Sequence, residues 1–249
     1  MKSNTERFSD RVDNYAKYRP NYPEKILNCL NDYNFSKRSI IADIGSGTGK
    51  LTELFLKNGN KTYGIEPNLE MRNMADSLLN KYDNYISIDG TAERTTLGNN
   101  TIDFIVVGQA FHWFDAQKAL NEFRRILKNN GVLVLIWNHR KLDTEFLIEY
   151  DNILKKHSKD YAESEHRNIP DEEIEKYFLK DFNKYTIDYH QKFNFTELLG
   201  RFASGSYTPK EGTKEYLDSY NEMEIIFNRF KVKDEIVFNY DTKIFTGRI

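Results

Sequence analysis

Three glycines at alternate positions, Gly45, Gly47 and Gly49, follow the apolar run Ser39 to Ile44 and precede a stretch of helical periodicity from Lys50 to Asn58. Glycine lets a backbone approach a ligand closely, and a helix start offers unpaired N–H groups at the positive end of its dipole. The turn, with Asp43, Ser46 and Thr48 among its residues, therefore has the makings of a ligand cradle. Glycines also make ordinary tight turns, but three in alternation at a strand-to-helix junction favour the ligand reading. The dinucleotide fingerprint G-x-G-x-x-G does not fit, because Lys50 stands where its last glycine would fall counting from Gly45, and Thr52 counting from Gly47. Glu66 ends the next apolar run, 21 residues after Gly45. A third group, Gln109-Ala110-Phe111-His112-Trp113-Phe114, follows the apolar run Ile102 to Gly108. Gln109, His112 and Trp113 are read as pocket residues, and Phe111 and Phe114 as core.

These groups need strands to carry them. Apolar runs at Ser39–Ile44, Lys61–Glu66, Tyr85–Asp89, Ile102–Gly108 and Val132–Trp137 alternate with helical patterns at Lys50–Asn58, Leu69–Asn80 and Asp115–Leu127, the last ending before Asn129-Asn130-Gly131. Near-continuous apolar strands between amphipathic helices imply a parallel, doubly wound sheet with right-handed crossovers. Its ligands belong at the C-terminal ends of the strands. After Leu142 the pattern becomes charged and helical, at Thr144–Ser158, Asp171–Leu179, Phe195–Ala203 and Thr213–Phe230, with a strand-like Tyr185–His190. The tail from Glu235 to Thr246 reads as two short strands around Asn239-Tyr240-Asp241.

The segment Asp43-Ile44-Gly45-Ser46-Gly47-Thr48-Gly49 resembles the first motif of the class I S-adenosylmethionine-dependent methyltransferases, and Gln109 to Phe114 is similar to a subgroup that includes trans-aconitate methyltransferase-like proteins. The resemblance runs from about Tyr15 to Trp137. It implies an α/β, doubly wound, mainly parallel seven-stranded sheet with a helical insertion or cap in the C-terminal half. S-adenosylmethionine is the implied cofactor, with S-adenosylhomocysteine as product. The residues implied to hold it are Asp43, Gly45, Ser46, Gly47, Thr48, Gly49, Glu66 with Pro67 and Met71, Thr91, Ala92, Glu93, Gln109, Ala110 and His112. Glu66 would take the ribose hydroxyls. Gly90 to Glu93 would flank the adenine, with Thr91 standing where the family commonly has aspartate. The N-terminal Asn14 to Pro20 matches the subgroup's segment that folds over the cofactor, placing Tyr18 and Arg19 on the cofactor and Tyr15, with Trp113 and Trp137, on the acceptor side. The implied division is a lid segment over 1–36, a cofactor-binding core over 37–141, and a helical substrate-side insertion with the final strands over 142–249.

Methyl transfer from a sulfonium is an in-line displacement and is served by positioning in a water-poor pocket. A carboxylate acceptor, ionised above roughly pH 4, is already nucleophilic and needs only positioning by Arg19, Gln109 or His112. A phenol, alcohol or amine would need a base, for which His112 and His139 are the candidates. The formal charge of −2, from 36 basic and 38 acidic residues, gives no bulk attraction for nucleic acid. Apolar runs fall far short of the ~20 residues of a membrane span, and the N-terminus lacks an apolar signal segment. Cys29, the single cysteine, excludes an internal disulfide and a cysteine zinc cluster, and no Asp/His/Glu set has ligand spacing. The expectation is a cytoplasmic, metal-free enzyme acting on a small molecule, without nucleic-acid or membrane partners, as a monomer or homodimer. The alternatives are a nucleic-acid methyltransferase, whose Asn/Asp-Pro-Pro-aromatic motif Asn21-Tyr22-Pro23 does not reproduce, a non-catalytic binding module, and a nicotinamide oxidoreductase.

Overall fold

The computed structural model describes residues 11–158, 161 and 170–249. Its centre is a seven-stranded sheet in the order β3-β2-β1-β4-β5-β7-β6, built from β1 (Ile41–Ile44), β2 (Thr62–Ile65), β3 (Tyr85–Ile88), β4 (Ile102–Gly108), β5 (Leu127–Arg140), β6 (Lys180–Phe193) and β7 (Ile236–Arg248). The first five strands pair in parallel, and β7 runs antiparallel to both β5 and β6. Strand order reverses on either side of β1, and the crevice at β1 and β4 is where such a sheet receives ligands.

The central strands are apolar throughout because both faces are covered. One face packs Ile44, Ile105 and Leu133 with α4 (Ala116–Ile126), while the other packs Ile41, Val106 and Val134 with α2 (Lys50–Asn58) and the 3-10 helix Glu24–Tyr33. Side chains alternate across a strand, so a run buried on both sides carries no polar phase. Helix α3 (Leu69–Leu79) starts at Asn68, whose side chain accepts the Met71 N–H at 2.9 Å. Helix α4 stops at Ile126 and β5 begins at once. Its register slips between the pairs Ile102–Leu127 and Phe104–Val132, so Lys128 to Gly131 form an irregularity at the start of a long strand.

The C-terminal half extends this sheet. Strand β7 is continuous over 13 residues, where two short strands around Asn239-Tyr240-Asp241 had been expected. The polar residues that suggested a turn are satisfied in place: Asn239 donates to the Asp143 carboxylate at 3.3 Å, Asp241 meets Lys141 at 2.9 Å, and Tyr240 is buried. Strand β6 is likewise longer than the expected Tyr185–His190, and the helix expected over Asp171–Leu179 is the short α6 (Asp171–Glu175). The outer ends of β6 and β7 carry α5 (Glu145–His157), α7 (Phe195–Ala203) and α8 (Lys214–Phe230) through a separate apolar cluster centred on Tyr150, Phe202, Met223 and Phe238. The N-terminal α1 (Val12–Tyr18) leans on α7: Tyr18 lies where a Cβ on Gly200 would come within 2.0 Å of its ring. Arg11 donates to the carbonyls of Ala203 and Thr208 at 3.2 and 2.7 Å. The first ten residues of the expected lid segment lie outside the described residues.

Candidate active site

The strand ends of β1, β2, β4 and β5 open into a cavity of about 300 Å³, roofed by the N-terminal segment and walled by the C-terminal half. The glycine turn forms its floor. The N–H groups of Gly45 and Ser46 both reach the Ile65 carbonyl, at 2.8 and 3.1 Å, which ties the turn to β2. Gly45, Gly47 and Gly49 have φ of 69°, 56° and 81°, conformations that L side chains rarely adopt. A Cβ on Gly45 would stand 2.7 Å from the Cβ of Ala110, so the glycine turn and the segment after β4 can approach this closely only because Gly45 has none. Gly49 caps α2 and packs on Leu79; it sits behind the cavity rather than in its lining.

Glu66 is held before any ligand arrives. Its carboxylate accepts the N–H of Gly47 at 2.9 Å and of Asn68 at 2.9 Å, while Arg72 grips its backbone carbonyl at 2.6 Å. Burial pushes this carboxyl above the usual range, and the two N–H donors work against that rise. Asp43 is deeper still. One oxygen accepts the Thr52 hydroxyl at 2.6 Å, and burial pushes its pKa up to about 7, the Thr52 hydrogen bond opposing and the Glu66 charge adding to the rise.

Several buried polar atoms around this floor have no hydrogen-bond partner among the described residues: Asp43 Oδ1, Ser46 Oγ and Thr48 Oγ1, with Arg19 Nε and Trp137 Nε1 farther along the cavity. An unmet buried polar group costs about 1–3 kcal/mol, so a row of them marks a surface built for a polar ligand. Pro67, Met71, Thr91, Ala92 and Glu93 line the same end.

The other wall starts at Gln109. Its φ of 58° is unusual for a residue with a side chain, and its N–H and Nε2 are fixed to the carbonyls of Ile136 and Asn138 at 2.9 and 3.1 Å. Ala110, Trp113 and Trp137 line the cavity as the sequence suggested, and Phe114, read there as core, lines it too. Phe111 is core. From the N-terminal segment Tyr15 and Arg19 reach the cavity, the guanidinium 5.3 Å from the ring centre, and Arg19 donates to the Ser204 carbonyl at 3.1 Å. Burial and the neighbouring Arg201 lower the Arg19 pKa.

Besides Gly49, two expected positions lie elsewhere. Tyr18, the last residue of α1, points into the contact with Gly200 on α7, while Arg19 after it is already extended (φ −66°, ψ 148°) and takes its side chain elsewhere. His112 lies in a short 3-10 turn (Phe111–Trp113), its ring 4.6 Å from that of Trp113 and off the cavity lining. The turn sends Trp113 inward and His112 away. His139 does line the cavity. Sequence reasoning missed Tyr22, Lys50, Arg140, Arg201, Tyr207 and Tyr240, all of which line it. Arg140 follows the apolar run of β5 at a strand C-terminal end, which is a usable signal. Arg201 interrupts the apolar residues Leu198, Leu199 and Phe202 of α7, the other trace legible beforehand. Among the described residues no group of three or more His, Cys, Asp or Glu could hold a metal ion, and no helix is long and apolar enough to cross a membrane.

A parallel sheet with its reversal at β1, a glycine turn there, and an acid held at the end of β2 define the Rossmann-like fold of the class I methyltransferases. Residues 42–135 match the family model described as Methyltransferase domain. An uncharacterized methyltransferase of Schizosaccharomyces pombe is 28% identical over 96% of this chain and 96% of its own. One of Mycobacterium tuberculosis is 34% identical over 53% of this chain and 52% of its own, so that match spans about half of either protein. A protein of Saccharomyces cerevisiae named as a probable S-adenosylmethionine-dependent methyltransferase is 25% identical over 59% of this chain and 52% of its own. Among solved structures, a candidate type II methyltransferase of Anaeromyxobacter dehalogenans superposes with a TM-score of 0.64 at 17% identity, covering 93% of this chain and 98% of that one, and shares the fold.

Proposed function

We propose that the protein transfers the methyl group of S-adenosylmethionine to a small molecule, with a carboxylate oxygen as the accepting atom. The observation that carries the cofactor half is the floor of the cavity: Glu66 held by two backbone N–H groups, beside the unpartnered Asp43 Oδ1, Ser46 Oγ and Thr48 Oγ1. Glu66 keeps acceptor capacity for a pair of ribose hydroxyls, because a carboxylate has about four lone-pair sites and two are used. Thr91, Ala92 and Glu93 stand where an adenine would lie, and Tyr15 and Arg19 cover the opposite end.

The cofactor supplies an electrophilic methyl group on sulfur; everything else falls to the chain. The aromatic groups Tyr15, Tyr22, Trp113, Phe114 and Trp137 line the cavity and keep water from the reacting atoms. A carboxylate reaching this space at neutral pH is ionised and needs no base, so holding it in line is the main task. Buried arginines in the same space favour such an acceptor, and a cavity of this size favours a small one over a nucleic acid. Calorimetric titration with S-adenosylhomocysteine and, separately, NADH tests the cofactor. The homocysteine derivative should bind, NADH should not, and Glu66→Ala should weaken binding by about tenfold to a hundredfold, the worth of one or two charged hydrogen bonds. Binding of NADH in its place would move the protein to the oxidoreductases.

A further inference from the structure

Two arginines in the cavity share nearly the same depth and have opposite surroundings. Arg140, 9% exposed, meets the Asp151 carboxylate and the Tyr161 hydroxyl, the latter at 2.8 Å, and lies 4.8 Å from the centre of the Tyr150 ring. This is how an interior keeps a structural arginine, by supplying the opposite charge. Arg201, 6% exposed, has no carboxylate within ion-pair distance among the described residues. Its hydrogen bonds go to Tyr240 Oη at 3.5 Å and Ser204 Oγ at 3.4 Å, both neutral and both at the long limit. A guanidinium carries five N–H donors in a planar fork, and most of that capacity is unspent here. Burial pulls against its charge, while the phenols of Tyr240, Tyr150 and Tyr207 more than hold it in place. Arg19 adds a second cation to the same space, with its Nε unpartnered.

An unpaired buried cation is expensive, and a pair that repel one another more so, unless an anion enters. Arg19 arrives from the segment whose Tyr15 stands over Gly47, on the side of the glycine turn. Arg201 arrives from α7 beside Tyr240 of β7, on the wall that the C-terminal half contributes. We infer that Arg201 is the anchor of the methyl acceptor: it binds a carboxylate of that molecule between Ser204 and Tyr240 and makes the site choose organic acids over their neutral counterparts. The inference rests on the methyl-transfer reading above and adds the residue that selects the acceptor. The fork geometry of guanidinium matches a carboxylate in two parallel hydrogen bonds, which would also fix the acid's orientation.

The test uses the intact protein saturated with S-adenosylhomocysteine and titrated with malonate, glutarate, benzoate and phenylacetate, each beside its neutral amide. At least one acid should bind wild type at least about tenfold more tightly than its amide, the worth of one charged hydrogen bond. Arg201→Gln should abolish that preference, Arg201→Lys should keep part of it, and both should leave the affinity for S-adenosylhomocysteine within about twofold. Since Arg201→Gln alters a packed interior, thermal shifts of wild type with each acid and amide read the same preference with no substitution. Acids binding the Gln variant as they bind wild type, no acid binding wild type, or a parallel loss of S-adenosylhomocysteine binding would each overturn the assignment. Failure of S-adenosylhomocysteine to bind wild type would instead bring down the methyl-transfer reading, and the anchor with it.

Discussion

Asp43 should make the stability of this protein fall as pH rises through neutrality, against the usual behaviour of a buried acid that is paired with a cation. Its carboxyl goes from an ordinary value of 3.8 to about 7 in the fold, chiefly through burial, while the Thr52 hydroxyl at 2.6 Å limits the rise. The folded chain therefore holds the proton more tightly than the unfolded chain, and the stability that the protonated group contributes is complete below about pH 4 and lost as pH climbs to about 7. The full gap corresponds to about 4 kcal/mol, of which more than half falls between about pH 5 and about pH 8. Asp43→Asn keeps an acceptor for Thr52 and removes the titration. Urea unfolding of both proteins across that range should show the variant gaining on wild type by this amount as pH rises. Two curves that stay parallel within about 0.5 kcal/mol would refute the reasoning, because they would mean that Asp43 ionises in the fold as readily as in the open chain.

Gly200→Ala should drive a Cβ into the Tyr18 ring, which lies 2.0 Å from that point, and so lift α1 from α7. Amide exchange over Val12–Tyr18 should quicken, and affinity for S-adenosylhomocysteine should drop by about tenfold as Tyr15 and Arg19 lose their seat; unchanged exchange would show that α1 does not depend on that contact. His112→Asn should leave kcat/KM for a carboxylate acceptor within about twofold, since the ring faces Trp113 and not the cavity. A loss beyond about tenfold would return His112 to the chemistry.

The parallel half of the sheet was legible because buried strands leave near-continuous apolar runs, and the glycine turn was legible because its positive φ angles restrict the residue type at Gly45, Gly47 and Gly49. The half of the cavity proposed for the cofactor is local in sequence: the turn, Glu66 and Thr91 to Glu93 each follow a strand end. The half proposed for the acceptor is not. Arg201 and Tyr240 reach the cavity only because β6 and β7 return antiparallel to β5, a pairing that no local pattern announces. Asn239-Tyr240-Asp241 looked like a turn because local propensity reads Asn and Asp as turn formers, and tertiary partners at Asp143 and Lys141 overrode it. Tyr18 and His112 were placed by proximity to a motif, yet Tyr18 turns to α7 where its helix ends and His112 is turned away within the 3-10 turn.

Strand β5 enters the sheet as core and leaves it as cavity wall, with Trp137, Asn138, His139 and Arg140 consecutive at its end and still in register with Lys243 to Tyr240 of β7. The strand therefore works as a ruler. At about 3.3 Å per residue, it fixes the spacing along the cavity wall from Trp137 to Arg140, with no joint between them. A one-residue insertion there would flip every later side chain to the other face, sending the Arg140 guanidinium away from Asp151.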